Sequence, residues 1–375
     1  MDLRPFLRDE TGIGVYYRSL LSALAEIDRD NHYCLFSASW KDRFREERLP
    51  PFASRTLRDA AWPTRLVDFA WSRLGRPLMD TLFDGRLDLT HSPTPLILPT
   101  RGRRIVTAHD LFFLEQPRLT DPHTRRMFRR RAPRSLRRAD GVIAVSRHVR
   151  RILVERLGVE ESRIRVIYHG IDPMYRCPVP RERLEEIRAR YELPASFLLF
   201  VGAEEPRKNL PRLIRALRYL PRSAGPVPLV LVGKKGSDHA RVRDTVDREG
   251  VSGRVRWLDY CPVSDLIAIY RAATLLVMPS LCEGFGLPVL EAMAGGLPVA
   301  AARVSALPEI AGEAARYFDP LDSKDMARCI GALLVDEDLR RCMMAAGVRR
   351  SRDFDWTRTA RDTLAFYRDV GGEGI

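Results

Sequence analysis

The sequence predicts an α/β fold with two domains, each built on a parallel sheet. Strand-like and helix-like segments alternate in two separate series, which is the pattern of parallel α/β domains. A stretch with one glycine and three prolines (HGIDPMYRCPVP, residues 169–180) lies between the two series and has the composition of a linker. The length of 375 residues suits two domains that each bury a core without disulfides.

The first series contains five apolar runs that predict strands. They lie at residues 33–36, 87–91, 104–109, 141–145 and 164–168. Helical patterns between them occupy residues 13–27 and 147–157. Short apolar strands that alternate with helices indicate a parallel sheet with helices on its faces.

The second series begins after the linker and has the same character. Its predicted strands lie at residues 197–202, 229–233, 255–258, 275–278 and 298–301. The last predicted helix, residues 355–368, places Trp356, Ala360, Leu364 and Tyr367 at spacings of four, four and three. That spacing gives the helix one apolar stripe with which it can dock.

The chain has a strong excess of basic residues, but the arginine-rich composition of that excess limits what it implies about function. Lysine and arginine number 63 against 49 acidic residues, which gives a net charge of +14. Only five of the 63 are lysines, which indicates a coding bias towards arginine. A basic excess alone argues for non-specific binding and not for a fold, and no nucleic-acid-binding motif is present. We therefore expect no nucleic-acid partner.

The cysteines and the apolar segments exclude other classes of protein. The six cysteines stand at positions 34, 177, 261, 282, 329 and 342 without Cys-x-x-Cys or Cys/His pairing, which argues against a zinc site or a disulfide framework. No apolar run reaches the roughly 18 residues of a spanning helix, and no signal-peptide pattern opens the chain. We expect a cytoplasmic protein.

The strongest chemical signal is the segment PSLCEGFGLPVLEAMAGG, residues 279–296, which follows a strand and leads into a helix. Glu283 lies in its loop, and Gly284 and Gly286 allow the main chain to approach a ligand closely. Glu291 lies about a turn and a half into the helix, where a carboxylate can accept hydrogen bonds from a ribose diol. The alternative is that both glutamates are simply solvated, but the apolar neighbours of Glu291 fit a surface position poorly.

A second signal is FVGAEEPRKN, residues 200–209, at the end of another predicted strand. Arg207 and Lys208 lie where the strand gives way to a helix, which is the crevice where open α/β sheets bind ligands. Two adjacent cations there suit a diphosphate. A solvated basic turn is the alternative, about equally favoured when this segment is taken alone.

Two weaker signals lie in the first domain. Gly12 belongs to a Gly-x-Gly turn (TGIG) before a predicted helix, a position that can bind phosphate but is as often only a turn. His109 ends the strand of RIVTAHD at the carboxyl edge of the sheet. A single histidine is more often structural than catalytic, although its place at a strand end favours function.

Eight segments in order resemble the retaining glycosyltransferases of family 4. They are TGIGVYYRSLLSAL, VTAHDLFFLEQP, ADGVIAVSRHVRRILVERLG, VIYHGID, FVGAEEPRKNLPRLIRAL, PLVLVGKKG, LLVMPSLCEGFGLPVLEAMAGGLPVAA and ALPEIAG. The resemblance covers nearly the whole chain. It implies a GT-B fold, in which two Rossmann-like domains with parallel sheets face a central cleft. The domains would be residues 1–172, which bind the acceptor, and residues 173–352, which bind the nucleotide-sugar donor, with a helix in residues 353–375 crossing back to the first.

The resemblance also implies roles for the residues of the second domain. Glu283 and Glu291 match the two acids of the family's E-x7-E motif, near the hydroxyls of the donor sugar and on the ribose respectively. Lys208 matches the lysine that binds the diphosphate. Further donor contacts would come from the main chain at Gly284, Phe285, Gly286 and Leu287.

In the first domain the resemblance implies two more contacts and no metal. Gly12 matches a loop that faces the phosphate, and His109 matches a histidine beside the transferred sugar. Cationic side chains and helix N-termini supply the charge that a metal would otherwise provide. We therefore expect no cofactor beyond the nucleotide sugar, which serves as a substrate.

The sequence departs from the family pattern at two places. Ala203 stands where many members carry an arginine, so we expect Arg207 to replace that arginine in part. The opening MDLRPF resembles only the end of a first strand. We therefore expect either a late recorded start or a first-domain sheet that lacks most of its central strand.

The function implied is the retaining, metal-independent transfer of a hexose, with Glu283, His109, Lys208 and Arg207 as the catalytic residues. The TGIG, HDLFFLEQP and EPRKN segments resemble mannosyltransferases that use GDP-mannose, and the acceptor would be a glycan or a lipid-linked glycan in polysaccharide or glycoconjugate biosynthesis. Eight arginines between Arg125 and Arg138, with apolar residues among them, predict peripheral association with an anionic membrane. A solvated arginine-rich face is nearly as well supported.

Other functions remain open at this point. A UDP-sugar or dTDP-sugar donor is the first alternative. A nucleotide-sugar epimerase on the same fold is less favoured, and a phosphorylase lacks a lysine in a context that suits its cofactor. An inactive remnant is a further alternative, because the first strand appears shortened in the sequence.

Overall fold

The computed structural model describes residues 1–7, 12–120 and 122–372. The chain forms two compact units. The N-terminal unit comprises Met1–Glu115, Pro122–Gly170 and Phe354–Ile375, and the C-terminal unit comprises Gln116–Asp121 and Ile171–Asp353. The main chain thus passes from the first unit to the second within the predicted linker and returns to the first at Phe354.

The strands of the N-terminal unit are all parallel and fall into two groups. They are β1 (Tyr33–Ala38), β2 (Arg55–Ala60), β3 (Leu89–Ser92), β4 (Arg103–Ala108), β5 (Gly141–Ala144) and β6 (Ile164–Val166). Strands β1 and β2 pair with each other, and the other four form a sheet in the order β3-β4-β5-β6. The segment before α1 contributes one isolated bridge, from Asp2 to Phe36 of β1.

The sequence analysis missed β2. Its residues RTLRDA contain only two apolar side chains, and none of the six is fully buried. An edge strand with two half-exposed faces has neither the continuous apolar run of a buried strand nor a clean alternation.

The helices of the N-terminal unit enclose its core. They are α1 (Gly12–Ile27), α2 (Thr64–Arg73), α3 (Met79–Leu82), α4 (Phe112–Glu115), α5 (Pro122–Arg138), α6 (Arg147–Leu157) and, from the end of the chain, α15 (Trp356–Gly371). Helix α15 packs against α1. The apolar stripe predicted for the last helix is confirmed, because all four of its residues are buried in this core.

A buried polar contact joins the last helix to the sheet. The hydroxyl of Tyr367 lies 2.6 Å from Nδ1 of His91, and Nε2 of that ring lies 2.8 Å from the hydroxyl of Thr107. Burial lowers the pKa of His91 to about 3, so the ring is neutral at physiological pH. Pairing of these buried polar groups removes the cost of taking them out of water.

The C-terminal unit has one six-stranded parallel sheet in the order β12-β11-β10-β7-β8-β9. Its strands are β7 (Leu198–Val201), β8 (Leu229–Val232), β9 (Val255–Leu258), β10 (Leu275–Met278), β11 (Val299–Ala302) and β12 (Arg316–Phe318). The first five correspond to predicted strands. Strand β12, with the sequence RYF, is too short for a periodicity signal.

Eight helices are described in this unit, and a parallel α/β sheet requires helices on its two faces. They are α7 (Arg181–Arg190), α8 (Leu210–Ala216), α9 (His239–Arg248), α10 (Val263–Ala272), α11 (Leu287–Ala294), α12 (Leu307–Ala311), α13 (Ser323–Val335) and α14 (Glu337–Ser351). The prediction of an α/β fold with parallel sheets is confirmed. Among the described helices of the whole chain, none is both long enough and apolar enough to cross a membrane.

Candidate functional site

The loops after β7 and β10 bring together three of the predicted site residues. Oε1 of Glu283 lies 2.6 Å from Nζ of Lys208, and its Oε2 lies 3.3 Å from a terminal nitrogen of Arg207. Glu283 and Lys208 are both buried, at 7% exposure each. The two segments FVGAEEPRKN and PSLCEGFG, which are some 75 residues apart in the chain, therefore form one charged cluster.

Burial and ion pairing compete in setting the pKa values of this cluster. Burial raises the pKa of Glu283, but Lys208 and Arg207 outweigh that effect and hold it below the usual value. Burial lowers the pKa of Lys208, the carboxylate of Glu283 raises it, and the neighbouring Arg207 lowers it again, so the net direction is downwards. The buried lysine is paired with one carboxylate and crowded by one cation.

Main-chain and amide hydrogen bonds hold the two loops in register. The amide of Leu281 donates to the carbonyl of Arg207 at 2.7 Å. The side-chain amide of Asn209 donates to the carbonyls of Pro279, at 3.0 Å, and Pro320, at 2.8 Å. Asn209 has a φ of +58°, a left-handed conformation that asparagine tolerates better than most residues. It thereby ties the end of β7 to the segments that follow β10 and β12.

The glycine-containing turn before α11 has a steric requirement that only glycine meets. Gly286 has a φ of +101°, and a Cβ atom at this position would lie 2.7 Å from a methyl carbon of Leu307. Helix α11 starts at the next residue, Leu287. The predicted main-chain contacts at Gly284 and Phe285 lie in the loop directly before this turn.

Glu291 occupies the second turn of α11 and has its own partners. The hydroxyl of Tyr270, on α10, donates to its Oε2 at 2.7 Å, and Tyr175 also donates to this carboxylate. Burial raises the pKa of Glu291 although both tyrosines act in the opposite direction. A carboxylate can accept about four hydrogen bonds, so two tyrosines leave capacity for a further donor.

In the N-terminal unit, His109 follows β4 and belongs to an aromatic cluster. Its ring stacks on His169 with a centroid distance of 5.3 Å, and the edge of Tyr16 meets both rings at 4.5 and 4.6 Å. Nε2 of His109 donates to the carbonyl of Pro93 at 2.9 Å, because a carbonyl can only accept. Burial lowers the pKa of His109 to about 4, so the ring is neutral near pH 7.

The other first-domain predictions fall partly outside the described residues. Gly12 is the first residue of α1, and a Cβ atom there would meet nothing within 4 Å. Thr11, which begins the TGIG turn, lies outside the described residues. The arginine-rich stretch forms most of α5, where Leu136 is fully buried and Phe128 stacks on Phe113 at 5.8 Å. These two apolar side chains therefore contact the protein itself.

The sequence analysis missed several partners of the predicted residues. Tyr270 and Tyr175 bind Glu291, Asn209 fixes the loop after β7, and His169 stacks on His109. The sequence carried a signal for Asn209, which ends the segment EPRKN, and for His169, which lies in the segment VIYHGID. Contacts such as that of Tyr270 with Glu291 depend on where two different helices lie in the folded unit, which no local pattern encodes.

An open cavity of about 720 Å³ adjoins this cluster in the C-terminal unit. Its lining includes Leu281, from the loop that carries Glu283, and Arg303, whose guanidinium lies 5.2 Å from the ring centroid of Tyr317. The cavity lies at the carboxyl ends of β11 and β12, the edge at which parallel sheets bind ligands.

Comparisons with known proteins agree along the chain. A family model described as glycosyl transferases group 1 matches residues 185–350, and one described as Glycosyltransferase Family 4 matches residues 11–175. The O-antigen chain mannosyltransferase B of Escherichia coli is 30% identical over 372 residues, which is 96% of each chain.

Two solved structures share the fold along nearly the whole chain. Sucrose-phosphate synthase from Thermosynechococcus elongatus gives a TM-score of 0.75 at 24% identity and covers 96% of this chain and 94% of its own. Anabaena Alr3699/HepE, solved with UDP and glucose, gives a TM-score of 0.73 at 18% identity and covers 96% of each chain. At these identities the likeness concerns the fold alone.

Proposed function

The chain belongs to glycosyltransferase family 4, with the GT-B fold, and from this premise we propose that it is a retaining mannosyltransferase that uses GDP-mannose. The acceptor in this proposal is a glycan or a lipid-linked glycan, in polysaccharide or glycoconjugate biosynthesis. The observation that carries the proposal is the buried cluster of Lys208, Arg207 and Glu283 at the carboxyl edge of the six-stranded sheet.

The cluster suits the departure of a nucleoside diphosphate. Cleavage of the bond between the sugar and the diphosphate places negative charge on the leaving oxygen, and a buried ammonium group stabilises that charge far better than water would. Lys208 supplies the point charge, and Arg207 supplies a planar donor for a second oxygen. Glu283 keeps both cations in place before the donor binds and then faces the sugar hydroxyls.

Retention follows in this proposal from attack on the face that the diphosphate leaves. Glu283 is engaged by both cations of the cluster and Glu205 lies 2.8 Å from Arg207, so neither carboxylate is free to act as the nucleophile of a covalent intermediate. The acceptor hydroxyl forms the new bond to the anomeric carbon while the bond to the diphosphate breaks, and a leaving-group oxygen takes the proton. His109, neutral and donating to Pro93, orients the sugar and does not act as an obligatory base.

The choice of mannose draws on the similarity to the Escherichia coli mannosyltransferase along the whole chain. A UDP-sugar is the second candidate donor, since a protein with the same fold was solved with UDP and glucose. No metal enters the proposal, because Lys208, Arg207 and the main chain at Gly12, Phe285, Gly286 and Leu287 supply the positive charge. The ribose in turn binds Glu291.

A cytoplasmic location with peripheral attachment to an anionic membrane belongs to the same proposal. The arginine-rich helix α5 supports it by its charge, whereas its buried Leu136 and its Phe128, which stacks on Phe113, contact the protein itself.

The function is tested by a thermal-shift screen followed by a transfer assay. A ligand that binds only the folded protein raises its melting temperature, so GDP should raise it more than UDP, dTDP or ADP at equal concentration. With GDP-mannose and a mannan oligosaccharide acceptor, proton NMR should then show an α-linked product, with an unchanged rate in EDTA. A larger shift with UDP than with GDP would contradict the GDP-mannose donor and favour a UDP-sugar. A β-linked product would contradict retention.

Glu291→Gln should weaken the binding of free GDP by roughly 10- to 100-fold, because the neutral amide is a weaker acceptor for a ribose diol than the carboxylate. Isothermal titration calorimetry measures the affinity. The raised pKa of Glu291 means that the carboxylate is protonated at a higher pH than an ordinary glutamate. GDP affinity should therefore fall more steeply on acidification in the wild type than in the variant.

A matched variant separates this role from structure. Tyr270→Phe removes the hydroxyl that donates to Glu291 and leaves the carboxylate in place, so its GDP affinity should change by less than about threefold. Unaltered GDP affinity in Glu291→Gln would remove Glu291 from the ribose site.

A further inference from the structure

The open cavity of the C-terminal unit is not used by the proposed reaction, since Lys208, Arg207 and Glu283 do not line it. Its volume of about 720 Å³ lies within the range of roughly 300–1,000 Å³ that is typical of small-molecule sites. We call it the β12 cavity. Its lining includes Gln116, Leu281, Arg303, Tyr317, Asp319 and Leu321.

The register of two neighbouring strands places opposite charges in this cavity. Strands β11 and β12 are parallel, and Ala302 is paired with Phe318 at their carboxyl ends. Arg303 and Asp319 directly follow these paired residues, and the amide of Arg303 donates to the carbonyl of Phe318 at 2.9 Å. A guanidinium and a carboxylate therefore leave adjacent strands at the edge where parallel sheets bind ligands.

Hydrogen bonds join the walls of the β12 cavity to the loops of the reaction site. The carbonyl of Pro320, in the lining, accepts from the side chain of Asn209 at 2.8 Å. Val304, also in the lining, stands two residues before Ala306, whose amide donates to the carbonyl of Glu283 at 3.3 Å. The cavity and the charged cluster are thus held together within one unit, which suits a ligand built of several linked parts.

The two charged side chains at the strand ends are available for a ligand. The guanidinium of Arg303 is held by its cation–π contact with Tyr317, whose hydroxyl donates to the carbonyl of Gly312 at 2.5 Å. The carboxylate of Asp319 accepts from the amide of Leu321 at 2.8 Å and has capacity for further donors. In the part of the chain that the structure describes, neither side chain lies within ion-pair distance of an opposite charge.

The balance of charge in the β12 cavity favours a neutral ligand. The third charged residue of the lining, Asp325, is paired with Arg328 at 3.0 Å. Arg303 and Asp319 remain, and their charges cancel. A second diphosphate would be repelled by Asp319, whereas a sugar hydroxyl can accept from the guanidinium and donate to the carboxylate.

The rest of the lining also matches a sugar ring. Leu321 is 64% exposed and, with Leu281, offers apolar surface for the C–H face of a ring. The exposed side chain of Gln116 adds an amide, which can both donate and accept. Apolar surface with a few polar groups around it is the usual composition of a small-molecule site.

We propose that the β12 cavity binds a hexose unit of the acceptor glycan, other than the unit that receives the new sugar. The inference rests on the proposed function, which makes the acceptor a glycan, and it gives the donor-binding unit a second task. Such a contact is the same before and during the reaction, so it lowers the acceptor KM and leaves kcat unchanged. Longer acceptors should therefore be better substrates than short ones.

The proposal is tested by calorimetry on the full chain saturated with GDP, with mannose and a linear mannohexaose as probes. The wild type should bind mannohexaose at least about tenfold more tightly than mannose. Gln116→Ala/Arg303→Ala should weaken mannohexaose binding by about tenfold or more, because two hydrogen-bonding side chains are lost. Its affinity for GDP should stay within about twofold of the wild type.

Transfer kinetics give a second readout of the same variant. Gln116→Ala/Arg303→Ala should raise the KM for mannohexaose by about tenfold, towards that for mannobiose, while kcat and the donor KM stay the same. Both changed side chains are exposed, so the melting temperature should remain within a few degrees of the wild type. Arg349→Ala, which removes an exposed arginine of α14, is the matched control and should behave as the wild type.

Asp319→Asn tests the class of ligand without loss of the turn. The amide oxygen can still accept from Leu321, and the side chain still forms hydrogen bonds with hydroxyls, so mannohexaose affinity should fall by less than about fivefold. Binding of inorganic pyrophosphate to the GDP-saturated protein, tightened by Asp319→Asn and abolished by Arg303→Ala, would overturn the proposal and make the cavity an anion site.

Two further outcomes would overturn the proposal. One is equal affinity of the wild type for mannose and mannohexaose, and the other is unaltered mannohexaose affinity in Gln116→Ala/Arg303→Ala. Failure of the proposed function has a different signature. Absence of transfer from GDP-mannose would contradict that function, whereas mannohexaose binding that depends on Arg303 would still support the site, because calorimetry measures it without the reaction.

Discussion

Lys208→Ala should lower kcat by about 10²- to 10³-fold and leave the donor KM within about threefold of the wild type. The ammonium group lies in a buried cluster where charge on a leaving diphosphate would develop, so its contribution is larger in the transition state than in the bound substrate. Steady-state kinetics over a range of donor concentrations separates kcat from KM. A large rise in KM with unchanged kcat would contradict the role.

The same substitution also affects folding, and a second variant separates the two effects. Removal of Lys208 leaves the buried carboxylate of Glu283 with Arg207, at 3.3 Å, as its remaining cation and with a hydrogen bond from Ser280, which costs about 3 kcal/mol of unfolding free energy. Lys208→Ala/Glu283→Gln should recover much of the stability, because the buried charge is gone, but none of the activity. Lys324→Ala, which removes an exposed lysine, should change neither quantity.

Gly170→Ala should destabilise the N-terminal unit by roughly 3 kcal/mol, because the new methyl group has no room. A Cβ atom at position 170 would lie 2.3 Å from the amide nitrogen of Trp356, 2.6 Å from its Cγ and 2.7 Å from the carbonyl carbon of Asp355. Two of these three atoms belong to the main chain and cannot rotate away. The start of α15 must therefore shift from its position in the core.

Thermal unfolding measures this effect, and a unit of this size should lose about 6–12 °C for such a change in free energy. Gly85→Ala is the matched control in the same unit. A Cβ atom at position 85 would meet its nearest neighbour at 3.9 Å, so its melting temperature should stay within about 2 °C. Equal melting temperatures for Gly170→Ala and the wild type would show that the start of α15 can shift to accommodate a methyl group without loss of stability.

The sequence predicts most of this fold because its buried strands are visible as short, continuous apolar runs. Strand β8, with the sequence LVLV, is buried on both faces, so its apolar run is continuous. Strand β2 fails this test because its arginines and aspartate face partly outward. Helix α2 fails for a related reason, since Leu66 and Phe69 on its outer face blur the single apolar stripe that marks an ordinary surface helix.

The sequence could predict the residues of the site only where they lie in loops at the ends of strands. Lys208 and Glu283 could be expected to meet, because parallel strands end at one edge of their sheet. Their direct ion pair could not be expected, because it depends on the exact register of two loops fixed by Asn209 and Leu281. Tyr270 and Glu291 meet by a side-chain hydrogen bond between two different helices, for which the adjacent sequence carries no signal.

The docking of α15 on α1 has a consequence for the order of folding during synthesis. The C-terminal unit is nearly continuous in the chain, whereas the core of the N-terminal unit includes the final helix, and the contact from His91 to Tyr367 spans 276 residues. Contacts between residues this far apart in the sequence form late and slow folding. The entropy of the intervening chain must be lost before such a contact can stabilise the fold. During synthesis, most of the N-terminal unit emerges from the ribosome before α15 has been made, so the core of that unit is still incomplete. The unit can complete its core only after the C-terminal unit has been synthesised and has had time to fold.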